Sequence, residues 1–214
     1  MTGTVVIVGA GGHARVVADA LLCQGVEVRG FVDQDLSLHG TYVYGRPVLG
    51  AEGALDDEAL VGCDLVNGLG GIGREQGSPL RRRVQERLEA AGRRFVGVRH
   101  PTAHVSPRAE LAADVQVLAG AFVQPGARIG TGSVINTRAV VEHDCRLGAF
   151  VHCAPGSVVC GAVSLGDDVH VGAGAVVRQG LTLGRGVVVA AGAAVVANQN
   201  VAAVLMGVPA RVRG

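Results

Sequence analysis

The chain has no tryptophan, two tyrosines and four phenylalanines among 214 residues. A core wedged together by large rings is therefore excluded, and Val, Leu, Ile and Ala must fill the interior. A surplus of one charge is missing as well. Nineteen basic residues face eighteen acidic ones, which leaves no electrostatic basis for binding nucleic acid or an anionic membrane. No apolar run is long enough to span a bilayer, and no basic-plus-apolar leader precedes the first strand. The five cysteines, at 23, 63, 145, 153 and 160, lack CxxC spacing. They read as small buried hydrophobes of a protein kept in a reducing cytoplasm.

Glycine and small aliphatic residues are abundant: 34 glycines and 49% apolar residues. A disordered chain would not carry that apolar share. From Val105 to Val201 every sixth residue is Val, Leu, Ile or Cys without a miss. A second series, offset by four, runs from Ala109 to Ala175 and holds Ala, Ser, Cys or Val. Neither the helical period near 3.6 nor the strand period of 2 produces this pattern. A hexapeptide repeat of this kind implies a parallel β-helix. Each flat face contributes one inward aliphatic residue, and a small residue sits near each corner. Three faces of six residues make an 18-residue coil, so residues 18 apart stack about 4.8 Å from one another. About five such coils are expected.

The first part of the chain, residues 1–99, is organised differently. Val5–Val8 is a β-rich run ending in Gly9-Ala10-Gly11-Gly12-His13-Ala14, and Val16, Val17, Ala20 and Leu21 continue in helical spacing to Gly25. Val28–Val32 and Asp64–Val66 read as further strands. Leu80, Val84, Leu88 and Ala91 mark one helix face opened by Pro79 and closed by Gly92, and Phe95-Val96 begins one more strand. Strands alternating with helices imply a small parallel, Rossmann-like α/β domain, whose ligands bind at the carboxyl ends of its strands. His100-Pro101 marks the junction, and the all-β second domain occupies residues 100–214.

Two stretches carry chemistry. Gly9-x-Gly11-x-x-Ala14, with Asp33 downstream, fits a phosphate-cradling loop at a helix N-terminus. An NAD-dependent reading demands a larger sheet than this part supplies. A nucleotide diphosphate fits better, with Asp33 directed to ribose or base; a tight turn without a ligand is the plain alternative. In the repeat, Asn136 and then Glu142-His143-Asp144 interrupt a run of small apolar residues. A histidine flanked by carboxylates suits general-base work, although a solvated turn would look the same. Stacking by 18 places Gly161 beside His143, leaving room for a reacting group. His100, His104 and His170 show no metal-ligand grouping, and no metal is assigned.

Taken together, Gly9–His13, Phe31–Asp33, Asn136-Thr137, Val141–Cys145, the hexads and Gly207–Ala210 make the chain resemble the left-handed β-helix acyltransferases. Within them it is similar to the sugar O- and N-acetyltransferases related to the sialic acid O-acetyltransferase family, in particular the bacillosamine-pathway and perosamine N-acetyltransferases. The resemblance covers nearly the whole chain. It implies acetyl-CoA as co-substrate, a nucleotide-linked amino sugar as acceptor and a homotrimer with sites between subunits. It also implies roles by position: His143 as general base, Asp144 as the acid that raises its basicity, and Gly161 as the oxyanion donor. Asn136 then lies near the acceptor sugar. Gly11, Gly12, His13, Asp33, Gln34 and Gly70 line the nucleotide-sugar pocket, and His152, Ala173 and Ala191 contact acetyl-CoA. Two features depart from the family pattern: Gln34 stands where a second acid is usual, and Gly71–Ser78 reads as an insertion. An O-acetyltransferase acting on a surface sugar, and a β-helix scaffold with a nucleotide-sensing domain but no chemistry, are the alternatives.

Overall fold

The computed structural model describes residues 3–70 and 78–213. Residues 71–77, most of the stretch read as an insertion, lie outside the described residues.

The first part builds β1 (Val5–Val8), α1 (Gly12–Cys23), β2 (Val28–Val32), β3 (Tyr42–Val43), β4 (Arg46–Gly50), β5 (Asp64–Asn67) and α2 (Ser78–Ala90). The sheet order is β3-β4-β2-β1-β5, parallel throughout except for the β3–β4 hairpin. Sequence reading missed that hairpin. Its turn residues, Tyr44 and Gly45, both have positive φ, the geometry of a two-residue primed turn, but Tyr-Gly lacks the usual Asn-Gly or Asp-Gly cue. The strand expected at Phe95 is reduced to a single parallel bridge with Leu65.

Both sheet faces are covered. Ala14, Val17 and Leu21 of α1 pack on Val5, Ile7, Val28, Phe31 and Val66. On the opposite face Val84 and Leu88 of α2, with Leu55, Leu60 and Phe95, pack on Val6, Val8, Val32 and Leu65. The α1 cluster also contains Val98, Leu118 and Val134, so the two parts of the chain share an interior.

The second part is a left-handed parallel β-helix. Its two-residue strands pair with strands 18 residues on, as in Val140↔Val158↔Val176 and His152↔His170↔Val188. Three faces result. A histidine face stacks Val134, His152, His170 and Val188 outward; a valine face stacks Phe122, Val140, Val158 and Val176; an arginine face stacks Glu110, Arg128, Arg146, Ser164 and Thr182. The hexad residues from Val117 to Val195 form one buried column, with Ala121, Ala127, Ala139, Cys145, Val163 and Ala175 of the second series packed inside it. The first rung begins at Val98–Arg99, paired with Gln116–Val117.

Two features depart from a uniform repeat. The last coil is two residues short, since Leu183 pairs with Gln199 and Val189 with Leu205. Val201 therefore leaves the inward column and is 72% exposed. The second feature is a third series of period six, at positions 120 to 192, in which every residue adopts left-handed backbone. Glycine suits that conformation, whereas other L-residues pay roughly 1–2 kcal/mol. The non-glycine members are Arg138, Asp144, Phe150, Ala162 and Asp168. Two of them fasten α2 to the β-helix. The Arg82 guanidinium lies 4.4 Å above the Phe150 ring, and Asp168 accepts from Arg82 Nε at 3.0 Å and Nη2 at 3.1 Å.

Candidate active site

Asp144 is the left-handed residue at the corner between the valine and arginine faces. Its φ of 59° turns the carboxylate back on its neighbour, and its Oδ2 lies 2.9 Å from His143 Nδ1. This contact fixes the proton on Nδ1 and leaves Nε2 as a bare acceptor. Both side chains are open to solvent, at 62% and 68% exposed. The stacking by 18 holds: a Cβ on Gly161 would come 2.5 Å from His143 Nε2. Only glycine lets the ring lie over the next coil, and Gly126, one coil earlier, leaves similar room for the Asp144 carboxylate.

A second feature lies along the histidine face and the corner that follows it. It is an apolar cavity of about 460 Å³ enclosed by the end of α1 and the prism. Its lining includes Gly12, His13 and Gly70 from the first part, and Asn136, His152, Ala173 and Ala191 from the β-helix. The structure thus brings together residues expected in two separate pockets. His143, Asp144 and Gly161 do not line this cavity, and neither do Gly11, Asp33 and Gln34.

The cavity histidines are neutral. Burial pushes His13 down from its ordinary 6.5 to about 4, helped by the Arg81 guanidinium. Burial likewise lowers His152 well below its usual range, with the Arg81 guanidinium adding repulsion, and burial lowers His170. Hydrogen bonds assign the tautomers. Asn136 Oδ1 accepts from Thr137 N at 2.7 Å, so its amide N–H donates to His152 Nε2 at 3.1 Å. His152 therefore carries its proton on Nδ1. Gln116 Nε2 donates to Asn67 O at 2.6 Å, so its carbonyl faces His13 Nε2 at 2.9 Å, and that nitrogen carries the proton.

Behind His13 lies a buried polar seam that sequence reading did not anticipate. Asn67 Nδ2 donates to Gln85 Oε1 at 3.1 Å and Gln85 Nε2 donates to Asp114 at 2.5 Å. Asp114 also accepts from Thr131 and from Gly132 N. Arg81 donates to Gly132 O at 3.1 Å, and burial lowers it to about 10 despite the Asp114 carboxylate. The missed signal was a second periodic face on α2: Arg81 and Gln85 are spaced by four, as Val84 and Leu88 are, and they face the prism as the apolar pair faces the sheet.

The glycine loop has its own geometry. Asp33 Oδ2 accepts from Ala10 N at 2.7 Å and Oδ1 accepts from Asp35 N at 2.9 Å, so the carboxylate read as directed to ribose or base braces the loop itself. A Cβ on Gly11 or Gly12 would meet no protein atom within 4 Å. These glycines therefore border open space, whereas Gly68 is packed against Ile7 and Ala14. Gln34 is exposed. Of the cysteines, Cys145 and Cys153 are buried and burial raises their thiols to about 11 and about 12. Cys63 and Cys160 are half-buried and Cys23 is exposed, so the reading as buried hydrophobes holds for two of the five.

Comparison with known proteins agrees with this architecture. Residues 4–88 match the PglD N-terminal domain, and residues 138–179 and 162–197 match the hexapeptide repeat of succinyl-transferase. The acetyltransferase domain of PglB from Neisseria gonorrhoeae superposes with a TM-score of 0.90 at 33% identity, covering 99% of this chain and 100% of that one. A structure of the same domain in complex with acetyl coenzyme A gives 0.89 at 32% identity, covering 100% of both chains. PerB from Caulobacter crescentus, in complex with CoA and GDP-perosamine, gives 0.90 at 38% identity, covering 99% and 98%.

Proposed function

Because the chain belongs to the left-handed β-helix sugar acetyltransferases and is an acyltransferase, we propose that it moves the acetyl group of acetyl-CoA onto the 4-amino group of a nucleotide-linked deoxysugar. The observation that carries this reading is the His143–Asp144 pair poised over Gly161, in a chain that aligns end to end with an N-acetyltransferase bound to CoA and GDP-perosamine.

The chemistry needs no covalent acyl-enzyme. The sugar amine attacks the thioester carbonyl carbon, and His143 Nε2 takes the proton that the amine must lose. Asp144 holds the opposite ring nitrogen and stabilises the imidazolium that forms. The Gly161 N–H meets the developing oxyanion, an interaction worth about 3 kcal/mol in comparable sites. The C–S bond then breaks, and CoA leaves as its thiol, taking the proton that His143 had accepted. Holding two separate substrates together supplies much of the remaining acceleration.

In this reading residues 1–99 hold the nucleotide sugar through Gly11, Gly12, His13, Asp33, Gln34 and Gly70, with Asn136 beside the sugar. Residues 100–214 hold acetyl-CoA along His152, Ala173 and Ala191 and perform the transfer. The apolar cavity supports a shared chamber where pantetheine and sugar meet. Its separation from His143 supports a site completed by a second copy. The valine face supports the same assembly: Phe122 is 45% and Val176 39% exposed, forming an apolar ladder of the kind that a neighbouring subunit covers. We read the assembly as a homotrimer, with His143 of one subunit at the cavity of the next. No described helix is long and apolar enough to cross a membrane, and nucleotide-sugar chemistry supports a cytoplasmic site of action.

The test is turnover of acetyl-CoA against a panel of UDP-, GDP- and dTDP-linked 4-amino sugars and hydroxyl acceptors, including sialic acid. Acetylation of one amino sugar and none of the hydroxyl acceptors is expected. Acetylation of a hydroxyl alone would replace the N-acetyl reading, and no turnover with any of these acceptors would remove the nucleotide-linked amino sugar as substrate.

A further inference from the structure

We propose a binding site for a divalent transition metal, of the class that zinc fills, formed by Asp19, Cys23 and His100 at the seam between α1 and the first rung of the β-helix. One ligand atom from each residue lies within 4.8 Å of the others. Asp19 and Cys23 are four apart on α1 and so share one side of the helix. His100 follows the first rung, donating its backbone N–H to Val117 O at 2.8 Å. It heads the corner column that continues as Leu118, Asn136 and Ala154 through the same backbone bonds. Sequence spacing conceals the group, because a helical pair meets a residue 77 positions further along the chain.

The donor set defines the metal class. A carboxylate oxygen, a thiolate sulfur and an imidazole nitrogen make three ligands of intermediate softness, which suit zinc or cobalt and disfavour magnesium or calcium. Thr102 is the outer-shell partner within reach of the ring. His100 Nδ1 lies 2.8 Å from Thr102 Oγ1, and that hydroxyl oxygen is itself fixed by Gly120 N at 3.1 Å. Ligation through Nε2 needs the proton on Nδ1, donated to Thr102 Oγ1, the usual arrangement for a metal-bound histidine. Thr102 N donates to Nδ1 at 3.1 Å, which puts the proton on Nε2, so metal binding switches the tautomer. Cys23 binds as its thiolate and releases its proton to solvent.

The site has a consequence for the ligand cavity without entering the acyl transfer. The α1 stripe that carries Asp19 and Cys23 continues through Val16 to Gly12, and Val16 and Gly12 line that cavity. A metal at the seam pins the far end of α1 to the first rung and thereby fixes how the sugar-side wall sits on the prism.

The full chain, stripped with chelator, desalted and kept reduced, is titrated with Co²⁺ alone. A near-ultraviolet thiolate-to-cobalt absorption that saturates at one metal per chain is expected. It should be absent in Cys23→Ser, while Thr102→Val should weaken binding about 10–100-fold, the usual cost of losing an outer-shell partner. Zn²⁺ should displace the cobalt and raise the melting temperature of the parent protein but not of Cys23→Ser. Both helix ligands are exposed, and circular dichroism checks the fold; should Cys23→Ser misfold, loss of the band in Asp19→Ala reads the same site. The spectrum of aqueous cobalt throughout, or an absorption that survives in Cys23→Ser, overturns the proposal.

Discussion

Two places along one prism set histidine in contrasting surroundings. At the corner between the valine and arginine faces, His143 is exposed and rests on a carboxylate 2.9 Å away. Over the histidine face, His13 of α1 and His152 and His170 of the prism are buried, which favours their neutral forms, and the first two have tautomers set by amides. The difference separates two tasks. In the proposed reaction the base must accept a proton, and an exposed ring with Nε2 free can do so. A wall residue must stay uncharged in an apolar chamber, and burial beside a buried arginine enforces it. The hexad places both kinds of histidine on one scaffold; what distinguishes them is whether a side chain or a neighbouring element covers the ring.

If the exposed corner supplies the base, its removal should have the largest effect. His143→Ala is expected to lower kcat about 10²–10⁴-fold with little change in acetyl-CoA affinity, measured by steady-state kinetics and calorimetry. The drop should sit at the lower end, because an amine loses its proton readily once attack has begun. Gly161→Ala probes the same corner by displacement. Its Cβ would occupy the space of His143 Nε2, and a shift near 1 Å costs about 10²-fold; kcat should fall while the melting temperature holds. Asp144→Gly sharpens the assignment from the other side. Glycine relaxes the left-handed backbone, so chemical denaturation should show stability within about 1 kcal/mol of the parent. Activity should nevertheless fall, by less than with His143→Ala, since the imidazole remains.

The smallest effect concerns the buried corner. Unfolded His13 takes up its proton near 6.5, whereas in the folded chain it does so near 4. Between those values the unfolded chain binds more protons, so stability is full above about 6.5 and falls as pH drops towards 4. His152 and His170 shift in the same direction. Urea unfolding at pH 7 and pH 5 should show a loss to which His13 contributes about 2 kcal/mol, and His13→Gln should remove that share.

Much of this was legible in the chain. The period of six fixed the faces, the pairing of residues 18 apart and the position of Gly161 beneath His143, because a β-helix repeats its geometry by sequence number. Two things within the prism were not legible. The third series, at left-handed positions, was hidden because Arg138, Asp144, Phe150 and Asp168 stand among its glycines; with it went the reason that the Asp144 carboxylate turns to its neighbour. The short last coil was hidden because Val201 keeps the hexad rhythm after the backbone has left it. Outside the repeat, contacts depend on how α2 and α1 lie against the prism. Local spacing therefore gave the apolar stripe of α2 but not Arg81 and Gln85, and the family resemblance gave His13 but not the amide of Gln116 that sets its proton.

The central claim is that the base on one corner serves a cavity on another, and that the two meet only between copies. Subunit mixing tests it most directly. His143→Ala chains lack the base, and Ala191→Trp chains should have a blocked cavity; each alone should be nearly inactive. After both are dissociated and reassembled together in equal amounts, about a quarter of sites in a cyclic trimer should pair an intact base with an intact cavity. Activity recovered to about that fraction of the parent is the predicted result. Mixed assemblies that form but remain as inactive as the separate variants would contradict the account and place base and cavity in one chain.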